Sequence, residues 1–194
     1  MNRLTVLVAA LVALAACGDD EQRRLGAAGV GVAHCPSSNL ILSSGISPVV
    51  PMRRYGVKVG LGVDGSSSAD SASLWLEARQ AMLLAKLRDG AQAGTARMAL
   101  EVATHGGAGC LGREGELGTI AIGAPADLAV WRLDGPVFAG AIADAVEAWL
   151  RCGPTSAWHT IVHGRFVVRD GRLTHSLVDE MVRRHAVHAA RLQA

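Results

Sequence analysis

An α/β fold carrying a small β appendage is predicted from three features of the sequence. Residues 30–33 and 57–63 are apolar almost without interruption, as strands of a parallel sheet buried on both faces are. Residues 72–88 then bring apolar side chains back at helical spacing. Further on, His163-Gly164 and Asp170-Gly171 punctuate "HTIVHGRFVVRDGRL" the way tight turns punctuate antiparallel strands.

The chain opens with "MNRLTVLVAALVALAACGDD": one basic residue, Arg3, then an uncharged apolar run over residues 4–16. That run is shorter than the ~20 residues a spanning helix needs and matches the apolar region of a signal peptide. Leu14-Ala15-Ala16-Cys17 is similar to a bacterial lipobox, which would make Cys17 a lipidation site and residues 1–20 a leader. The plainer alternative is an accidental apolar opening. A short strand should follow, made by Val30, Val32 and Ala33 with His34 at its C-terminal edge, ahead of the turn-forming "CPSSN". "ISPVVPMRRYG", with two prolines, predicts a short helix or turn.

The strand over residues 57–63 exits through "GVDGSSSADS", so a buried run ends by presenting Asp64. A carboxylate there can ligate a metal ion, act as a base, or cap the next turn. In the following helix, Leu76, Leu83, Leu84 and Leu87 repeat on one face with Trp75, Ala78, Met82 and Ala85 beside them, Glu77, Arg79 and Lys86 are expected outward, and Ser71 or Ser73 as cap. A second helix is expected over residues 95–103, broken by the glycine-rich "HGGAGCLG". Three strand candidates come next, "GELGTIAIG", "ADLAVWRL" and the hairpin, and residues 177–192 close the chain as a basic amphipathic helix.

Composition narrows the function classes. The 194 residues are half hydrophobic, with a net charge of +2 and no basic stripe, which suits one globular unit or part of a larger one and argues against nucleic acid as partner. Cys35, Cys110 and Cys152 form no C-x-x-C pair and are expected as buried thiols. "GLGVDG" and "HGGAGCLG" lack both the dinucleotide-binding spacing and a Walker lysine. A zinc deaminase of the H-x-E, P-C-x-x-C type is excluded, because Pro36 follows Cys35 and no C-x-x-C exists.

"GVGVAHCPSSNLILSSGISPV", "VGLGVDGSSSADS" and "ATHGGAGCLGREGELGTIAIGAPADLAVW" together resemble the C-terminal part of the amidohydrolase superfamily. The branch is the aminohydrolases that include 8-oxoguanine, guanine and S-adenosylhomocysteine deaminases and the triazine hydrolases. The resemblance implies the last two strands and helices of a TIM barrel over residues 21–112. It also implies part of a small β-sandwich over 113–175 and a terminal helix over 176–194. It implies a hydrolytic deaminase of a purine-like or triazine ring, with zinc or iron as cofactor and a homo-oligomeric state. Asp64 would be metal ligand and proton shuttle, and His34 and Asn39 would shape the substrate pocket. Two positions depart from the family pattern: Ile41 stands where a basic residue is common and Ala69 where Asn is common.

The other family ligands are expected upstream of this segment. None of His34, His105, His159, His163, His175, His185 and His188 forms an H-x-H pair, and residues before Glu21 include no histidine. His185 and His188 lie three apart beside Arg183 and Arg184 and are expected in solvent. A TIM barrel takes ~250 residues, so the chain is expected to be a deaminase fragment that is inactive alone, the metal not retained. The competing reading is a non-catalytic, membrane-anchored lipoprotein module. The resemblance implies a cytoplasmic protein and the leader an envelope one.

Overall fold

The computed structural model describes residues 17–193, so residues 1–16 of the expected 1–20 leader lie outside the described residues. The chain divides into two compact units that do not follow chain order: one runs to Ala124 and resumes over Leu133–Thr155, and the other comprises Pro125–Arg132 and the chain from Ser156 onward.

In the first unit, helix α1 (Asp19–Ala27) precedes strand β1 (Gly31–His34), helices α2 (Pro36–Ile41) and α3 (Val49–Arg54), and strand β2 (Lys58–Leu61). The expected parallel pairing is present: Val32 lies opposite Val59 and His34 opposite Leu61. Val32, Val49, Met52, Val57 and Val59 form the core with residues from the helices that follow. Neither α1 nor α2 was expected as a helix. α1 has an acidic first turn, Asp19, Asp20 and Glu21, which complements the helix dipole, and α2 starts with Pro36 in its first turn, where proline's missing N–H costs nothing.

Helix α4 (Leu74–Asp89) is capped by Ser73, whose hydroxyl accepts from Leu76 N–H at 3.3 Å. Its buried face corrects the expected one. Ala78, Ala81, Met82 and Ala85 are buried together with Glu77, whereas Leu83 is 45% and Leu87 74% exposed. The alanines form the packed side because small side chains let a helix approach its neighbours closely, Ala85 reaching the core beside Val59, while Leu83 and Leu87 lie on the exposed side.

Helix α5 (Ala96–Glu101) is capped by Thr95 and continues through one π-helical turn, Val102–Gly106, into helix α6 (Gly107–Cys110). The glycines were expected to break this helix, but they dock it. A Cβ on Gly106 would stand 2.4 Å from the Val59 carbonyl oxygen, and one on Gly60 would stand 2.7 Å from Gly107 Cα. The segment "GELGTIAIG" is no strand: Ile120 and Ile122 are fully exposed, and Gly118 and Gly123 adopt left-handed φ of 77° and 87°, incompatible with extended pairing. Helix α7 (Ala145–Arg151), also unexpected, is capped by Asp144, which accepts from Val146 N–H and Glu147 N–H.

The second unit is an antiparallel sheet of β3 (Leu128–Val130), β4 (His159–Val162), β5 (Arg165–Arg169) and β6 (Arg172–Leu173), in that order. Both turns are where the sequence placed them: His163 and Gly164 have φ of 49° and 76°, and Asp170 and Gly171 have 51° and 73°, the double left-handed geometry that matches strand twist. Helix α8 (Val178–Gln193) follows and buries none of its residues. Among the described residues no helix is long and apolar enough to cross a membrane.

Candidate active site

Parallel pairing puts the C-terminal ends of β1 and β2 on one edge, so the loops that follow them meet. Gly62 N–H donates to the His34 carbonyl at 2.9 Å, extending the contact one residue past the ladder. Two residues on, Asp64 turns the chain with φ of +64°, a left-handed conformation that aspartate tolerates better than most side chains. It is exposed.

Two serines hold the carboxylate. Ser38, in α2, donates its hydroxyl to Asp64 Oδ2 at 2.7 Å, and Ser68 reaches the same oxygen at 3.2 Å. The two hydroxyl oxygens lie 3.1 Å apart. The Ser38 hydrogen bond, followed by the Gly65 backbone N–H and Ser68, holds the Asp64 carboxyl below the usual carboxylate range. Asp64 is therefore ionised at neutral pH and able to accept a proton.

His34 and Asn39 flank this contact without joining it. Each is 2% exposed, and His34 Nδ1 and Asn39 Nδ2 are buried without a hydrogen-bond partner. Burial lowers the His34 pKa to about 4, so its ring is neutral at pH 7. Cys35 is pushed up to about 11, first by burial and then by the charges of Asp64 and Glu77, which makes it a poor nucleophile. The structure thus brings Ser38 and Ser68 to Asp64. In sequence Ser38 stands out only as part of the turn-forming "CPSSN" and Ser68 only as part of the strand exit "GVDGSSSADS". Their signal was the serine run after each strand exit, "PSSN" and "GSSS".

A cleft of about 170 Å³ opens beside this edge, lined by Leu40, Ile41, Asp70, Ser71, Leu76 and Gln80 among others. Ile41 makes part of its wall apolar; Ala69 is buried. Asp64 is a single candidate ligand: among the described residues no three of His, Cys, Asp or Glu come together as a metal-binding group. One carboxylate does not fit a whole zinc centre, which takes about four donors. His185 and His188 are exposed on α8, as expected. Cys17 is half-buried against the hydrophobic core, and its carbonyl accepts from Gln22 Nε2 at 2.8 Å.

Comparison with known proteins shows the family of the chain. The sequence pattern of the amidohydrolase family matches residues 2–167, a stretch that takes in the whole apolar run over residues 4–16. The chain is 44% identical over 175 residues to 8-oxoguanine deaminase of Pseudomonas aeruginosa, a match covering 90% of this chain and 38% of that protein. It is 40% identical over 164 residues to 5-methylthioadenosine/S-adenosylhomocysteine deaminase of Desulforudis audaxviator, covering 84% of this chain and 38% of that one. Among solved structures, a zinc-bound adenosine deaminase of Xanthomonas campestris superposes with a TM-score of 0.85 at 27% identity, over 93% of this chain and 41% of that one. Atrazine chlorohydrolase of Arthrobacter aurescens, also with zinc, gives 0.80 at 29% identity, over 90% and 39%. The chain spans 38% of the length of both curated relatives.

Proposed function

Because the chain belongs to the amidohydrolase family, we propose that it is the C-terminal part of a metal-dependent hydrolytic deaminase of a purine-like or triazine ring, 8-oxoguanine being the first substrate to test. β1 and β2 are proposed as the last two strands of a TIM barrel, whose chemistry gathers at the C-terminal strand ends. The observation that carries the reading is the Asp64 carboxylate, held by Ser38 and Ser68 at such an end. The two relatives named above, an 8-oxoguanine deaminase and a 5-methylthioadenosine/S-adenosylhomocysteine deaminase, support it.

In this reaction water adds across the ring carbon–nitrogen double bond, its oxygen to the carbon and one proton to the ring nitrogen; the bond to the exocyclic amino group then breaks, and ammonia leaves a ring carbonyl behind. Asp64, ionised at neutral pH, takes a proton from the attacking water and hands it to the departing nitrogen. When bound, the metal would activate that water. Asp64 is proposed as one of its ligands, with further donors required from outside the described residues. His34 and Asn39, both buried beside the strand exit, are proposed to shape the pocket from beneath. The lipoprotein reading has no observation of its own in the described residues.

The test is ammonia release from 8-oxoguanine with zinc present. The 194-residue chain is assayed alone and mixed with the part of the Pseudomonas aeruginosa enzyme that precedes the matched stretch. Little release is expected from the chain alone. Release by the mixture that falls at least ~10³-fold in Asp64→Asn supports the proton-carrier role. Release untouched by Asp64→Asn would overturn that role, and none under either condition would overturn the deaminase reading.

A further inference from the structure

Glu77 is an ionisable side chain on the buried stripe of α4, only 1% exposed. Burying a carboxylate is costly without strong hydrogen bonds, and its Oε2 accepts the Ser37 backbone N–H at 2.8 Å. That amide belongs to the first turn of α2, where N–H groups have no partner within the helix. Three residues along α4, Gln80 Oε1 accepts the Ser37 hydroxyl at 2.9 Å. α4 therefore grips one residue of α2 through both backbone and side chain. The very next residue, Ser38, is the one that donates to Asp64.

We propose that Glu77 is a positioning residue for Asp64: by fixing the first turn of α2 it sets the Ser38 hydroxyl against the Asp64 carboxylate, without touching Asp64 itself. The importance of that carboxylate rests on the deaminase reading; the geometric link does not. The chain runs from Glu77 through the Ser37 amide to Ser38 Oγ and Asp64 Oδ2, and each step is a hydrogen bond of 2.8 Å or less apart from the covalent link between the serines. A shift of α2 by an ångström would break the last step, because a hydroxyl hydrogen bond fades beyond ~3.0 Å.

The test uses the full chain and two NMR readouts: amide hydrogen exchange at Ser37, and three-bond couplings that report the Asp64 side-chain rotamer. Glu77→Ala is expected to lose about 10- to 100-fold of protection at the Ser37 amide, the range for a hydrogen bond to a charged acceptor, and to average the Asp64 couplings. Glu77→Gln keeps an acceptor at the same reach and is expected to restore a single Asp64 rotamer. Ser38→Ala should average Asp64 while leaving Ser37 protected. Met82→Ala, on the buried stripe of the same helix, should lower stability without moving Asp64.

Should Glu77→Ala not fold, Glu77→Asp keeps the charge but withdraws the acceptor by one methylene, and the same averaging is expected. Couplings unchanged in Glu77→Ala or Glu77→Asp while averaged in Ser38→Ala would overturn the proposal and leave Glu77 a packing residue. So would averaging of equal size in Met82→Ala. None of these readouts needs turnover, so failure of the deaminase reading in the ammonia assay remains separable from failure of this one.

Discussion

At Asp64 a left-handed backbone and two serine donors work together. The backbone turn carries the carboxylate past the strand end, and Ser38 and Ser68 keep it ionised there. Ser38 makes the leading contribution to its lowered pKa, ahead of the Gly65 N–H and Ser68. Ser38→Ala is accordingly expected to raise the Asp64 pKa toward the ordinary carboxylate value, and Ser68→Ala to raise it less, both read from the pH dependence of the carboxyl carbon shift. The sign for stability follows. A depressed carboxyl stabilises the fold above its unfolded pKa and loses that contribution as pH falls through the folded one, so removing Ser38 shrinks this acid-labile part. An Asp64 that titrates identically in Ser38→Ala would show that the hydroxyl does not hold it. The position of Asp64 was legible in sequence because a buried strand ending in Asp-Gly leaves few places for the carboxylate. Its serine partners were not, since Ser38 lies 26 residues away and meets Asp64 only through strand pairing.

Among the elements, α4 and the helix after it show how periodicity can be read with the wrong face inward. Leucine spacing identified the α4 helix, but Ala78, Ala81 and Ala85 mark the side that packs. The same preference for small residues governs the docking of α6 on β2, where Gly60 meets Gly107 backbone to backbone. Gly60→Ala would put a methyl 2.7 Å from Gly107 Cα, with no flexible side chain to yield. A loss of about 1–3 kcal/mol in urea unfolding is expected, the usual cost of overpacking; unchanged stability would mean that α6 can retreat freely. Glycines read as helix breakers in "HGGAGCLG" thus act as contact surfaces, because a residue without a side chain can end a helix or let one come close. Which of the two happens is settled by what lies opposite.

Over the whole molecule, pH stability offers a test of how the core was built. His34 is buried at the end of β1 and its pKa is lowered to about 4 from 6.5. Between those values the unfolded chain binds a proton that the folded one refuses, so stability falls as pH falls through this window and levels below it. The shift corresponds to about 3 kcal/mol. Urea unfolding of the wild type should lose roughly that much more between pH 6.5 and 4 than His34→Gln does. Parallel curves for the two proteins would place the His34 ring in water rather than in the core. The alternation of the two compact units, with Pro125–Arg132 in one and Leu133–Thr155 in the other, was beyond sequence reading for a related reason. Strand β3 is recognisable locally, but its partner β4 begins at His159, 29 residues after β3 ends at Val130. By itself the sequence determined the α/β class, both hairpin turns, the strand exit that presents Asp64 and the resemblance to amidohydrolases, since each is written in neighbouring residues. Only the tertiary structure decided which face of α4 is buried, that Glu77 lies inside, and that Ser38 rather than His34 or Asn39 touches Asp64. Those outcomes depend on which distant segments meet, and side-chain spacing along one segment carries no information about its neighbour.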